Sequence, residues 1–410
     1  MNKIETLKYS ADALCLYGAP ADGDTLLSSL LRLLHSLDSE AVFRCYADFF
    51  RKVAASGSLK QGLSESILTA DNAFTRAAAA GTEAQLPPSI HAAVRSDLDK
   101  LEALSALTAE DVLAAAPDAY RATLATLPHW ELGKAVPPLT DGWAAQTAQL
   151  AAFHRQNGYG QFVRNAAFCW QGNTLTPMTA LDPIRLTELK NYERQRQQVL
   201  ENTEAFLNGL PANNVLLYGD RGTGKSSTVH ALLNEYRDRG LRMIEISKGT
   251  IGKLSQIREA VADCPMRFIV FIDDLSFESH DDAFGELKAA LEGSLAGRQG
   301  NMLIYATSNR RHLIKENFAD RENDGHRSDT LQEELSLSDR FGLSVYFENP
   351  DKAEYLDIML KIADDRGLRT DREQLCVDAE LWARRRGGRS PRCARQFVDA
   401  VEAKEKRSIS

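Results

Sequence analysis

Asn214-Val-Leu-Leu-Tyr-Gly-Asp-Arg-Gly-Thr-Gly-Lys-Ser-Ser227 carries an apolar run into a glycine-rich loop and on into a helical pattern. Gly219, Gly224, Lys225 and Ser226 fit GxxxxGK[ST] with no mismatch. In that pattern glycines let consecutive backbone N–H groups converge on a polyphosphate. The lysine reaches the β- and γ-phosphates, and the hydroxyl ligates magnesium. Val215 to Tyr218 reads as a buried strand, and Val229, Leu232, Leu233 and Tyr236 recur at helical spacing just after it. The residues expected to hold the phosphates are therefore Gly219, Asp220, Arg221, Gly222, Thr223, Gly224, Lys225, Ser226 and Ser227.

Downstream, strand and helix patterns alternate. Gly240 caps the loop's helix, Leu241 to Ile246 forms a strand, Ile257 to Val261 a helix face, and Arg267 to Asp273 another strand. Such alternation predicts a parallel sheet with helices on both faces. Phe268-Ile-Val-Phe-Ile272 is fully apolar and ends in Asp273-Asp274. A carboxylate at the carboxyl end of a buried central strand faces the same crevice as the phosphate loop, so Asp273 is the expected magnesium ligand beside Ser226. Asp274 is the candidate for polarising an attacking water, against a plain loop or helix-capping role, with Glu278 in reserve. A strand from Asn301 to Ala306 leads into Thr307-Ser308-Asn309. Asn309 is placed to hold that water, the alternative being a helix cap. Lys315 to Leu335 is polar and reads as a loop. Arg340 stands just before the strand Leu343 to Phe347, at the edge of this region, where it could reach a neighbouring subunit's γ-phosphate. Arg321 and Arg327 compete for that role.

Upstream, a long amphipathic helix is predicted from Ile184 to Leu207, stopped by Gly209 and Pro211. Residues 161–177 read as two short extended runs around Gly172-Asn173, a hairpin serving as a connector. The first 150 residues are helical in pattern: Leu26, Leu30, Leu33, Leu34 and Leu37 share one face, and Val42, Tyr46, Phe49, Phe50 and Val53 another. Thr108-x-x-Asp111 is a helix-start signature. No catalytic pattern lies there.

Pro350 closes the central region, and helices follow over 353–366, 377–386 and 391–403. Arg384, Arg385, Arg386, Arg389, Arg392 and Arg395 are six arginines in twelve residues. Phosphate contact, a nucleic-acid patch and a solvated face are all open readings. Arg392, in the first turn of the last helix, is placed to fold back onto a nucleotide.

With 410 residues the chain exceeds one ordinary domain, and 43% apolar with 26% charged residues marks a folded protein. No run of 18 apolar residues exists and no apolar signal core follows Met1, so the cytoplasm is the expected location. Six scattered cysteines without a CxxC pair suit reduced thiols. The net charge of -8 argues against a generally basic nucleic-acid binder.

The phosphate loop, the Phe268–Asp274 strand, Asn309, Arg340 and a three-helix lid bearing Arg392, in that order, resemble the AAA+ ATPases, and among them bacterial replication initiators and helicase loaders. Closer still, Asn213 to Ser227, Asp273-Asp-Leu-Ser-Phe-Glu278 and Leu287-Lys-Ala-Ala-Leu-Glu-Gly293 resemble the bacterial family filed as domain of unknown function 815. The resemblance implies a parallel five-stranded αβα sandwich with a C-terminal helical lid, to which the helical pattern adds an N-terminal all-α domain. The expected division is 1–150 helical and partner-binding or regulatory, 151–180 connector, 181–349 nucleotide-binding core and 350–410 lid. ATP and Mg2+ binding, hydrolysis, and a homo-oligomer with Arg340 acting across an interface are also implied. Lys225, Asp274, Asn309 and Arg340 would carry the chemistry. The favoured function is an ATPase that remodels or switches a macromolecular partner. A non-hydrolysing nucleotide-dependent scaffold is the rival, and a small-molecule kinase would leave Asn309, Arg340 and the lid unexplained. Nucleic acid is a candidate partner through the Arg384 to Arg395 cluster, and a membrane is not.

Overall fold

The computed structural model describes residues 2–18, 23–277, 282–295, 300–309, 340–386 and 388–409. They form two compact units: Met1–Arg164 with Asp263–Pro265, and Asn165–Ala262 with Met266–Ser410. Among the described residues no helix is long and apolar enough to cross a membrane.

The first unit is helical, with α1 Lys3–Asp12, α2 Leu26–His35, α3 Val42–Ala55, α4 Leu59–Leu68, α5 Ala73–Ala80, α6 Pro88–Leu104, α7 Ala109–Ala115, α8 Asp118–Leu124, α9 Thr147–Asn157 and α10 Gln161–Arg164. The two predicted stripes meet in its core: Leu30, Leu33 and Leu34 of α2 with Val42, Tyr46, Phe49 and Val53 of α3. Each such side chain contributes roughly 1.5–3 kcal/mol by leaving water. Thr108 and Asp111 form a reciprocal capping box at the start of α7.

Among the described residues the second unit is built on seven strands: β1 Ala167–Gln171, β2 Thr174–Pro177, β3 Val215–Gly219, β4 Leu241–Ile246, β5 Arg267–Ile272, β6 Met302–Ser308 and β7 Leu343–Phe347. Their order is β2-β1-β4-β5-β6-β3-β7. All neighbours are parallel except β1 and β2. The five expected strands are present, but the sheet is larger than five. Residues 167–177 fold as the predicted hairpin, turning at Gly172 and Asn173 with positive φ of 55° and 63°. Instead of serving only as a connector, the hairpin joins the sheet: β1 pairs with β4, with Ala167 opposite Met243. Ala167 and Phe168 are buried there, and the free edge of β4 finds hydrogen-bond partners.

Helices α11 Glu193–Leu207, α12 Lys225–Tyr236, α13 Leu254–Val261 and α14 Asp282–Leu295 belong to this unit, as do three C-terminal helices in the stretch where the sequence reading put the lid, α15 Lys352–Arg366, α16 Arg372–Arg385 and α17 Pro391–Ile409. The lid has its own core, including Tyr355, Ile358, Met359, Ala379, Phe397 and Val398. The helix expected from Ile184 starts only at Glu193. Before it come a short 3-10 turn at Leu186–Glu188 and two left-handed residues, Asn191 and Tyr192, with φ of 65° and 63°. β3, β5 and β6 are parallel neighbours, so their carboxyl ends open on one crevice, where ligands bind in such sheets.

Candidate functional site

The phosphate loop leaves β3 at Gly219, whose φ is 128°. A Cβ there would sit 2.1 Å from the Phe347 carbonyl oxygen of β7, so no other residue fits. Gly222 and Gly224 also hold positive φ, 77° and 94°. Lys225, first in α12, is 5% exposed. Its Nζ donates to the carbonyls of Gly219 (3.0 Å) and Asp220 (2.6 Å) and to Oδ1 of Asn309 (3.2 Å). Burial pushes its pKa down to about 8, opposed by the carboxylates of Asp220, Asp274 and Asp273. The Asp220 carboxylate accepts from the Asn349 N–H at 2.8 Å.

At the end of β5, Asp273 Oδ1 accepts from Ser226 Oγ at 2.6 Å and from Thr307 Oγ1 at 2.5 Å. Asp274 is a left-handed residue, φ 51°. Its N–H donates to Thr307 Oγ1 at 2.9 Å, and its Oδ1 accepts from Asn309 Nδ2 at 2.6 Å. Asn309 thus spans Lys225 and Asp274, accepting from one and donating to the other. Two oxygen donors side by side, Ser226 and Asp273, suit a hard divalent cation such as Mg2+, and the ammonium of Lys225 beside them suits a polyphosphate.

These groups line one cavity of 490 Å³. Arg221, Gly222, Thr223, Gly224 and Ser227 line it with Lys225 and Ser226, and Asp273, Asp274 and Asn309 join from the strand ends. Gly219 and Asp220 lie behind the lining, where they build the loop's base. The lid supplies Arg392 and Arg395, and the Arg392 N–H donates to the Gly222 carbonyl at 3.1 Å. Arg340 stands one residue before Phe341 at the entry to β7 and is not among the lining residues. Glu278, Arg321 and Arg327 lie outside the described residues.

Several contributors had no assignment from the sequence, Thr307, Leu189 and Tyr192 among them. Thr307 is a β-branched residue at the end of a buried strand, and nothing in its local pattern separates it from an ordinary strand former. Leu189 and Tyr192 form an apolar wall with Phe347, Ile358 and Ile362. They recur at helical spacing with Val199 and Phe206, which is why they read as part of the helix. The arginine cluster divides. Arg389 pairs twice with Glu380, at 3.1 and 2.5 Å, Arg384 lies 3.5 Å from the same carboxylate, and Arg386 stacks on Trp382 at 4.7 Å. Glu380, one turn upstream, is the acid that the run from Arg384 to Arg395 lacks, so the cluster is not one unpaired basic surface.

A glycine-rich loop on β3, paired acids at the end of β5 two strands away, a polar residue at the tip of the intervening β6 and an arginine from the C-terminal helices meet in one cavity, the layout of a P-loop site. The chain belongs to the family described as "Protein of unknown function (DUF815)", whose model matches residues 163–405. Among curated proteins it is similar to the replication factor C large subunit of Thermococcus kodakarensis, 34% identical over 101 residues. The same subunit of Pyrococcus horikoshii is 30% identical over 98 residues. Each match covers 22% of this chain, which spans only 20% and 21% of those relatives. Similar solved structures include a single-substitution variant of Thermotoga maritima RuvB (18% identity, TM-score 0.38, covering 53% of this chain and 63% of that one). The Aeropyrum pernix ORC1 protein in complex with DNA is another (15% identity, TM-score 0.40, 53% and 61%).

Proposed function

We propose that this protein binds ATP with Mg2+ in the cavity, hydrolyses the ATP to ADP and phosphate, and uses turnover to switch or remodel a macromolecular partner as a cytoplasmic homo-oligomer. The observation that carries the reading is the chain Lys225–Asn309–Asp274 running alongside Ser226–Asp273 in one cavity under an arginine-bearing lid. Lys225 and the loop amides take the β- and γ-phosphates, and Arg392 neutralises charge from the lid side. Ser226 and Asp273 hold Mg2+, which when bound supplies neutralisation of the phosphate charge. Asn309 orients the attacking water, and Asp274 accepts its proton as the bond to the γ-phosphorus forms and the β–γ bridge breaks. Arg340 acts on the γ-phosphate of a neighbouring copy.

The scaffold reading keeps one specific support: Asp274 Oδ1 accepts a hydrogen bond from Asn309 Nδ2. Comparing ATP affinity and phosphate release in wild type, Lys225→Ala and Asp274→Asn separates the two. The hydrolytic reading expects Asp274→Asn to keep affinity and lose about 100-fold or more in turnover. Equal turnover in wild type and Asp274→Asn, or none in wild type at any protein concentration with or without added DNA, would leave the scaffold reading standing. Local similarity to replication factor C large subunits makes DNA the first partner to add, and a stimulation that weakens steeply with salt is the expected signature of phosphate contacts.

A further inference from the structure

Thr307 sits 2% exposed at the carboxyl end of β6 and makes contacts that no strand residue needs. Its hydroxyl has one proton to give. A backbone N–H can only donate, so in the 2.9 Å contact with the Asp274 N–H the Thr307 oxygen is the acceptor. The hydroxyl proton is then directed to Oδ1 of Asp273. The result is a chain of fixed direction, Asp274 N–H to Thr307 Oγ1–H to Asp273 Oδ1. The Thr307 carbonyl accepts in addition from the Leu275 N–H at 2.7 Å, which ties the following residue to the same strand end.

Oδ1 of Asp273 accepts hydrogen bonds from both Ser226 and Thr307, so the rotation of the carboxylate is set from two sides. Asp274 adopts a left-handed φ of 51°, a conformation that costs a non-glycine residue of order 1 kcal/mol or more and persists where the surroundings impose it. The Thr307 hydroxyl holds the N–H of that residue, and the side chain then meets Asn309. One hydroxyl thus sets the orientation of both acids at the end of β5.

Resting on the nucleotide reading above, we propose that Thr307 is a positioning residue that fixes the Mg2+-holding carboxylate of Asp273 and the water-polarising carboxylate of Asp274 relative to each other. Valine has nearly the same shape and lacks the oxygen, whereas serine keeps it. The predicted result is that Thr307→Val leaves nucleotide binding in EDTA unchanged but raises the Mg2+ concentration that half-saturates the Mg2+-dependent gain in affinity by about tenfold, the scale of a lost hydrogen bond to a charged group. Thr307→Ser stays within about threefold of wild type on the same scale.

The test is a titration of a fluorescent ATP analogue at stepped Mg2+ for wild type, Thr307→Val, Thr307→Ser and Ser226→Ala. Thr307→Ala replaces the valine variant if that one does not fold. The inference is overturned if the variant lacking the hydroxyl keeps the wild-type Mg2+ midpoint while Ser226→Ala shifts it, or if serine fails to restore the midpoint. A wild-type protein that binds the analogue no better with Mg2+ than in EDTA overturns the nucleotide reading itself, so the two failures are distinct.

Discussion

His154 is fully buried on α9 of the first unit, with Nδ1 bonded to the Gly158 carbonyl at 2.9 Å and Nε2 without a hydrogen-bond partner among the described residues. Burial holds its pKa below the ordinary histidine value, outweighing the backbone hydrogen bond. The unfolded chain therefore takes up the proton first as pH falls, and the fold loses stability below about pH 6.5. Urea unfolding at stepped pH checks this: relative to His154→Gln, wild type should lose up to about 1.4 kcal/mol per pH unit through the window between the unfolded and the folded pKa. Parallel curves for the two proteins would refute it. At this scale the sequence was most informative where one residue type has one chemistry. Lys225 and Ser226 stand where the loop pattern puts them, and Asp273 meets Ser226 within hydrogen-bond distance. Thr307 escaped because its role depends on which strand lies beside β5, and that is a property of the sheet order. The Asp220 carboxylate escaped for the same reason: its partner, Asn349, is 129 positions away.

Helix starts were less legible than helix existence. Leu189, Tyr192, Val199 and Phe206 share a helical period, yet only the last two lie in α11. The first two belong to residues 186–192, which leave the helical path at Asn191 and Tyr192 and form a wall of the cavity. Several contacts hold this segment. Tyr192 Oη donates to the Glu348 carbonyl at 2.6 Å, the Tyr192 ring lies 5.2 Å from that of Phe347, and Lys190 pairs with Asp365 of the lid at 2.6 Å. Asparagine tolerates a left-handed backbone and β-branched residues do not. Asn191→Gly should therefore unfold within about 0.5 kcal/mol of wild type, while Asn191→Val should cost about 1–2 kcal/mol and also weaken ATP binding. Denaturation midpoints with a nucleotide titration on both variants decide it. Valine as stable as glycine would mean that the backbone there is not imposed. The hairpin is the complementary case. Its turn residues were readable, but its seat beside β4 was not, because edge pairing is made by backbone groups that carry no sequence signal.

For the whole molecule, the division of labour between copies is the claim with the widest consequences. Within one chain the cavity brings together Lys225, the paired acids, Asn309 and Arg392, but Arg340 is not in its lining. If Arg340 completes the site of a neighbouring copy, the contact between copies is head-to-tail, with the cavity of one facing the β7 edge of the next. Complementation separates this from a role within one chain. Asp274→Asn removes the group proposed to polarise the water and keeps Arg340, while Arg340→Ala does the reverse, and each alone should be nearly inactive. In an equal mixture that assembles at random, one interface in four joins an intact cavity to an intact arginine. Turnover should then recover to about a quarter of wild type. Recovery needs subunit exchange, so it should rise with protein concentration and be absent when the two proteins are assayed below the assembly threshold. A mixture that stays as inactive as its components, at concentrations where light scattering shows mixed oligomers, would place the role of Arg340 inside its own chain and remove the reason to make assembly part of catalysis.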